Sequence, residues 1–234
     1  MKSRERITVG LLVLVAAVGC ASNKVSNRQT LVAGKIPRPD HILVYDFVGT
    51  SADVPADSSI KGQYSEQSQT ADQIAIGRQV GATIATQLVE EIRAMGLPAQ
   101  RASRATPMQI NDIVIRGYLV SVDEGSAVKR VAIGFGSGAS ELKTAVEAYQ
   151  MTAQGLRKLG SGTVDSSGAK SPGAAAPLAI AVASGNPVGL IVSSGVKVYG
   201  EASGSSTIEG RARQTAKEIG EQLKPRFEQQ GWIK

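Results

Sequence analysis

Apolar and polar positions follow two different periods along this chain. Over His41–Val48 (HILVYDFV) the residues are β-formers, with Leu43, Tyr45 and Phe47 on one side and Ile42, Val44, Asp46 and Val48 on the other. Apolar on both sides except at Asp46, the run predicts a strand central in its sheet. From Asp72 to Met95 the spacing changes to three and four. Gly77, Val80, Gly81, Ile84, Leu88, Ile92 and Met95 form a stripe, and Arg78, Gln79, Thr86, Gln87, Glu90 and Arg93 take the wet side. This predicts an amphipathic helix, stopped by a left-handed Gly96 with Pro98 beyond it. Each large apolar side chain on the stripe gains ~1.5–3 kcal/mol by burial, so the helix must dock on a sheet. Gly77 and Gly81 on the stripe predict a close approach there.

Asp112–Asp123 (DIVIRGYLVSVD) predicts a second strong strand. Arg130–Ile133, Leu142–Met151 and Gly155–Val164 read as further strands, the last completing an antiparallel meander. Thr106 and Pro107 fit the cap and first position of a short helical turn. A last helix is predicted over 206–230. Ser206 and Glu209 form its capping box, Ile208, Ala212, Ala216, Ile219, Leu223 and Phe227 its stripe, and Pro225 a point where it kinks or a new turn starts.

Three stretches lack such periods. Gly49–Thr70, rich in Ser, Asp and Gln, reads as a long loop, functional or mobile at that length. Ala21–Arg38 is small and polar and reads as a tether, whose eighteen residues would reach roughly 20–25 Å if flexible. Ser161–Gly173 is Ser/Gly-rich and reads as irregular, and Ser171–Val196 carries no charge. Pro177, Gly185, Asn186, Pro187 and Gly189 interrupt that last segment. It reads as buried or self-packed short helices, with a membrane span as the other reading. The fold class expected is α/β (an α+β sandwich): one mixed sheet with a long helix packed on it and a C-terminal helical segment. The division is 1–19 signal, 20–39 tether and 40–234 a single domain.

Composition narrows the function. The chain has 234 residues, 42% hydrophobic and 20% charged, enough for an ordinary core. One cysteine excludes an internal disulfide framework, and one histidine excludes a His-rich metal site. Of the net charge of +6, Lys2, Arg4 and Arg6 against Glu5 contribute +2. The remainder is too mild, and too poor in interleaved aromatics, for a nucleic-acid partner.

Those same basic residues head a processing signal. They precede an apolar run, Ile7–Val18, that is too short for a permanent span, which needs roughly twenty residues. Small residues then lead into the single cysteine. Ala17-Val18-Gly19-Cys20 resembles a bacterial lipobox, departing from it at Ala17, where an aliphatic such as Leu is usual. The resemblance implies cleavage between Gly19 and Cys20, a diacylglyceryl thioether on Cys20 and an acylated amine. Several chains anchor firmly because each buried methylene adds ~0.8 kcal/mol. Ala21, where a retention signal would place Asp, implies the outer membrane in an organism that has one.

Candidate chemistry is sparse. Gly134-Phe135-Gly136-Ser137-Gly138 has neither the dinucleotide spacing nor a Walker Lys-Ser/Thr, and reads as a strand connection. His41 has no triad or ligand set around it and reads as structural. Asp46 and Arg116 each interrupt an apolar strand face, and an ion pair across neighbouring strands would answer the desolvation cost of both. Asp123-Glu124 reads as a solvated strand end. No catalytic, cofactor-binding or metal-ligating set is expected.

Val44-Tyr45-Asp46-Phe47, Ala94 through Ala99, Ile115-Arg116-Gly117-Tyr118, Ile133 through Leu142, Gly200 through Gly210 and Gln229-Gln230-Gly231-Trp232 are specific in combination. Together they resemble an uncharacterised bacterial lipoprotein family, domain-of-unknown-function family 4410. That family implies no activity. A looser resemblance over Ile42–Val164 is to periplasmic α/β domains of envelope lipoproteins, among them the curli-secretion channel protein and activators of peptidoglycan synthases. It rests on Asp46-Phe47, Gly96 and Ile115-Arg116-Gly117 and implies fold alone. The expected function is a non-catalytic envelope lipoprotein, a tethered module that binds an envelope protein or cell-wall component and needs no cofactor. An oligomeric outer-membrane export channel is the alternative.

Overall fold

A computed structural model describes residues 24–31, 34–58, 69–123, 141–167, 191–193 and 208–234. The strands are β1 (Lys24–Thr30), β2 (Ile42–Tyr45), β3 (Ala99–Ala102), β4 (Ile113–Asp123), β5 (Glu141–Thr152), β6 (Gly155–Ser167) and β7 (Ile191–Ser193). Helix α1 runs over Ala71–Ala94 and α2 over Ile208–Gln230. All seven strands form one mixed sheet in the order β1-β6-β5-β4-β2-β3, with β7 joined to β4. β2 lies parallel to both β3 and β4, while β4, β5, β6 and β1 form an antiparallel meander. The α/β class with a mixed sheet, a long docked helix and a C-terminal helix is the one the residue pattern predicts.

Both helices cover the same face. α1 packs on β2, β3 and β4, and α2 packs beside α1 on β5 and β6. α1 starts at a capping box in which Thr70 Oγ1 accepts from the Gln73 amide and the Gln73 side chain accepts from the Thr70 amide. It ends at Gly96, whose φ of +80° is the left-handed stop expected. Its buried stripe includes Val80, Ile84, Leu88 and Ile92, which meet Ile42, Val44 and Ile115 of the sheet. The close approach falls at Gly81. A Cβ there would lie 1.9 Å from the Phe47 carbonyl oxygen, and the Phe47 amide donates to the Gly81 carbonyl.

Four features depart from the sequence reading. Lys24–Thr30, expected in the tether, is a strand paired antiparallel with β6, from Lys24 opposite Asp165 to Thr30 opposite Gly160. The backbone of a polar segment is satisfied as well by an open sheet edge as by water, so composition alone could not exclude it. Ile191–Ser193 lies inside the uncharged segment expected to be helical, yet pairs in parallel with Ser121–Asp123. Thr106 caps no helix; its hydroxyl accepts from the Ser103 amide to close a turn. Ser161–Ser167, expected to begin an irregular stretch, continues β6. The helix α2 runs through Pro225. Among the described residues, no helix is long and apolar enough to cross a membrane. Cys20, the Arg130–Ile133 strand, the Gly134–Gly138 connection and the rest of the 171–196 segment lie outside the described residues.

Candidate functional site

The two faces of the sheet are built from the same strands by alternation. On the face away from the helices, β4 and β5 place Val114 opposite Tyr149 and Arg116 opposite Glu147. Leu43, Ala102, Val114 and Tyr149 form a small apolar patch there. Beside it, Glu147 is only 1% exposed. Its carboxylate accepts from Ser58 Oγ at 2.8 Å, from the Tyr149 hydroxyl at 2.7 Å and from Lys158 Nζ at 2.7 Å. A buried carboxylate is tolerated only when paired and hydrogen-bonded, and these donors meet that condition. The Tyr118 hydroxyl points into the same cluster, within electrostatic reach of Ser58 and Glu147, but closes no well-aligned hydrogen bond. Burial pushes the Tyr118 and Tyr149 phenols up, and the Glu147 carboxylate reinforces the rise in both.

Arg116 closes the edge of this cluster. Its Cζ lies 5.3 Å from the Tyr149 ring centre and 5.9 Å from that of Tyr45. Its Nη1 donates to both oxygens of Asp57 at 2.9 Å. The segment after β2 is therefore bound down across this face by Asp57 and Ser58, with Val54 buried beneath it. With Glu147 committed to three donors of the scaffold, the cluster offers no free base.

The helix-covered face is different. Between β4–β6 and α2 lies a cavity of about 550 Å³, within the ~300–1,000 Å³ of ligand pockets. Ile113, Ile115, Val146 and Leu159 line it from the sheet, and Ile219, Leu223, Phe227 and Trp232 from α2 and the turn after it. The space exists because small residues stand where large ones would fill it. Ala148, Gly160 and Gly162 form the floor, and a Cβ added to Gly162 would meet nothing within 4 Å. Segment 34–36 walls one end. The Ile36 amide donates to Gln230 Oε1 at 2.7 Å, and Trp232 Nε1 donates to the Ile36 carbonyl at 3.2 Å. Phe227 and Trp232 stack at 5.5 Å, so this wall is stiff. Lys35 and Arg226 stand among the lining residues, which among the described residues include no Asp, Glu, His or Cys.

The family described as Domain of unknown function (DUF4410) matches residues 42–185. The chain belongs to that family. The matched range takes in the Glu147 cluster and the cavity floor but stops short of α2, so helix α2, which roofs the cavity, lies outside it. No curated protein matches the chain. Among solved structures, the DUF4410 chain is similar to the PelC dodecamer from Paraburkholderia phytofirmans, at 12% identity and a TM-score of 0.44 over 87% of this chain and 96% of that one. A substituted PelC dodecamer from the same organism gives 13% identity and a TM-score of 0.38 over 69% and 90%. Neither likeness bears on what this chain does.

Of the residues singled out from sequence, Asp46 and Arg116 are not partners. Parallel pairing of Val44 with Ile115 sets Tyr45 opposite Arg116 and turns Asp46 to the other side. Asp46 instead takes Arg101 of β3, with Nη2–Oδ2 at 2.7 Å, and Arg116 takes Asp57. His41 Nδ1 lies 3.1 Å from the buried Asp112 carboxylate, and the pair joins the starts of β2 and β4. Gly19 and Cys20 lie outside the described residues. The Glu147 cluster and the cavity escaped the sequence reading. The alternation in Glu141–Thr152 puts Glu147 and Tyr149 on one side, which reads as the wet face when the 49–58 cover is not anticipated. A signal for the cavity existed in Gly160 and Gly162, two apart on one strand face.

Proposed function

We propose that this DUF4410 protein is a non-catalytic binding module of the bacterial cell envelope, anchored by lipid on Cys20 and facing the periplasm. The observation that carries binding over catalysis is the preformed apolar cavity under α2, whose described lining holds no Asp, Glu, His or Cys. General acid–base or nucleophilic work needs such groups converging at the place where a substrate can sit. The buried Glu147 carboxylate lies across the sheet and accepts from three of its own neighbours. The anchoring half of the proposal rests on Ala17-Val18-Gly19-Cys20 behind its basic and apolar run.

The two halves have separate tests. Cells fed radioactive palmitate should label the wild-type chain and leave Cys20→Ser unlabelled and uncleaved; normal labelling of Cys20→Ser ends the anchoring assignment. Crosslinking in cells should trap a specific envelope component against the mature domain. Multiple turnover of any substrate by the purified protein, lost when a cavity residue is changed, would overturn the non-catalytic reading.

A further inference from the structure

The ligand class that fits the cavity can be read from its walls and its rim. The interior is aliphatic and aromatic, with Ile115, Val146 and Leu159 facing Leu223, Phe227 and Trp232. Such a lining gains free energy only from an apolar guest, through area removed from water. The rim carries charge of one sign. Lys35 and Arg226 are its only charged side chains among the described residues, and both are exposed. Arg226 donates only to neutral partners, Thr30 Oγ1 and Gln229 Oε1, and Lys35 enters no salt bridge among the described residues. Two uncompensated cations at the mouth of an apolar cavity complement a molecule with a long apolar body and one anionic end.

We infer that this cavity binds a single-chain anionic amphiphile, a long-chain fatty acid, with the alkyl chain lying over Gly160 and Gly162 beneath α2 and the carboxylate at Lys35 and Arg226. A cavity of about 550 Å³ has room for one alkyl chain. The glycines matter because their missing side chains are the space the chain would occupy: a Cβ on Gly162 meets nothing within 4 Å. This deepens the binding reading and rests on it for the role of the cavity. It is independent of how the protein is anchored, so palmitate labelling of Cys20 and occupancy of the cavity can fail separately.

Trp232 supplies the readout, since it is the only tryptophan in the chain and lies in the cavity wall. The full chain, as isolated and placed in phosphatidylcholine vesicles, would be titrated with dibromostearate while Trp232 fluorescence is followed. The expected result is saturable quenching at one ligand per chain, with none from brominated phosphatidylcholine built into the vesicles. The matching brominated alcohol should bind roughly tenfold more weakly, because it forfeits a charge-assisted contact. Lys35→Glu with Arg226→Glu should abolish that preference for the acid. Gly162→Leu should remove quenching by filling the floor, and Ala148→Leu serves as a second filler should Gly162→Leu misfold. Absence of saturable quenching, equal binding of acid and alcohol, quenching by the bilayer lipid, or full binding by a folded filling variant would each overturn the inference.

Discussion

The two faces of this sheet use the same strands to opposite ends. On the open face, Glu147 sits fully buried among Ser58, Tyr149 and Lys158, and Arg116 is held between two aromatic rings and Asp57. On the helix face, Ala148, a direct neighbour of Glu147 in sequence, floors an unfilled apolar cavity. Apart from the Tyr118 hydroxyl, the polar groups of one face are spent on each other, and the other face has left apolar surface without a partner. Saturated buried polar clusters rigidify and specify a structure, whereas unfilled apolar space forfeits packing energy. The proposed binding function uses such a space beside a stiff scaffold. The contrast predicts that removing groups from the polar face costs much and that adding groups to the cavity costs little.

The largest effect is therefore expected at Glu147. Glu147→Ala takes a shared acceptor away from Ser58, the Tyr149 hydroxyl and Lys158, and removing one partner of a buried ion pair costs about 3–5 kcal/mol. Urea unfolding of wild type and variant would measure it. A loss below about 1 kcal/mol would show that the cluster is wetter and looser than its geometry.

Next comes Tyr149→Phe, which takes away one donor to Glu147 and should cost about 1–3 kcal/mol. It also carries a pH signature. Burial first, and then the bond to Glu147, raise the Tyr149 phenol above its ordinary 10.0, and Tyr118 rises for similar reasons. The neutral phenol is favoured in the folded state, so this contribution is fully present below pH 10. It is lost as pH climbs above 10 toward the folded values, where the unfolded chain ionises first. Stability should be flat on this account up to about pH 10 and fall beyond it, less steeply in Tyr149→Phe. An equal slope in both proteins would break the assignment.

On the other face, Ala148→Val adds two methyl groups over the cavity floor. Overpacking costs about 1–3 kcal/mol where no space exists. Here space exists, so the change should be neutral or stabilising by up to about 1 kcal/mol. A thermal unfolding shift downward by several degrees would mean the cavity is not available to side chains.

The sequence made the scaffold legible and the sites largely illegible, for a physical reason. α1, β2, β4, β5, β6 and α2 announce themselves through period, because each must bury one stripe or one face. β1 and β3 do not: Lys24–Thr30 is polar but for Val25, and Ala99–Ala102 has only four residues, so both are held by backbone pairing that leaves no period. Glu147 drew no notice in the sequence because Ser58, which caps its carboxylate, lies far away along the chain. Ser58 belongs to the stretch read as a long loop, functional or mobile. Deleting 52–68 would therefore remove Asp57 and Ser58 from Arg116 and Glu147, and would test stability before it tested any partner.

The smallest effect is expected at the charged residue that first drew notice. Asp46 and Arg101 are each about half exposed, 51% and 46% by side chain, and screened by water. An exposed pair of this kind contributes ~0–1 kcal/mol. A double-mutant cycle of Asp46→Ala and Arg101→Ala should give a coupling within that range, falling with salt. The cycle of Asp46→Ala with Arg116→Ala should give none, because the parallel register turns the two side chains to opposite sides of the sheet. Asp57→Ala with Arg116→Ala should couple more strongly than either, since Arg116 is only 13% exposed and its guanidinium is fixed by two rings before it meets the carboxylate. Coupling between Asp46 and Arg116 as large as that between Asp57 and Arg116 would contradict the register of β2 on β4, and with it the assignment of these charges to two separate faces.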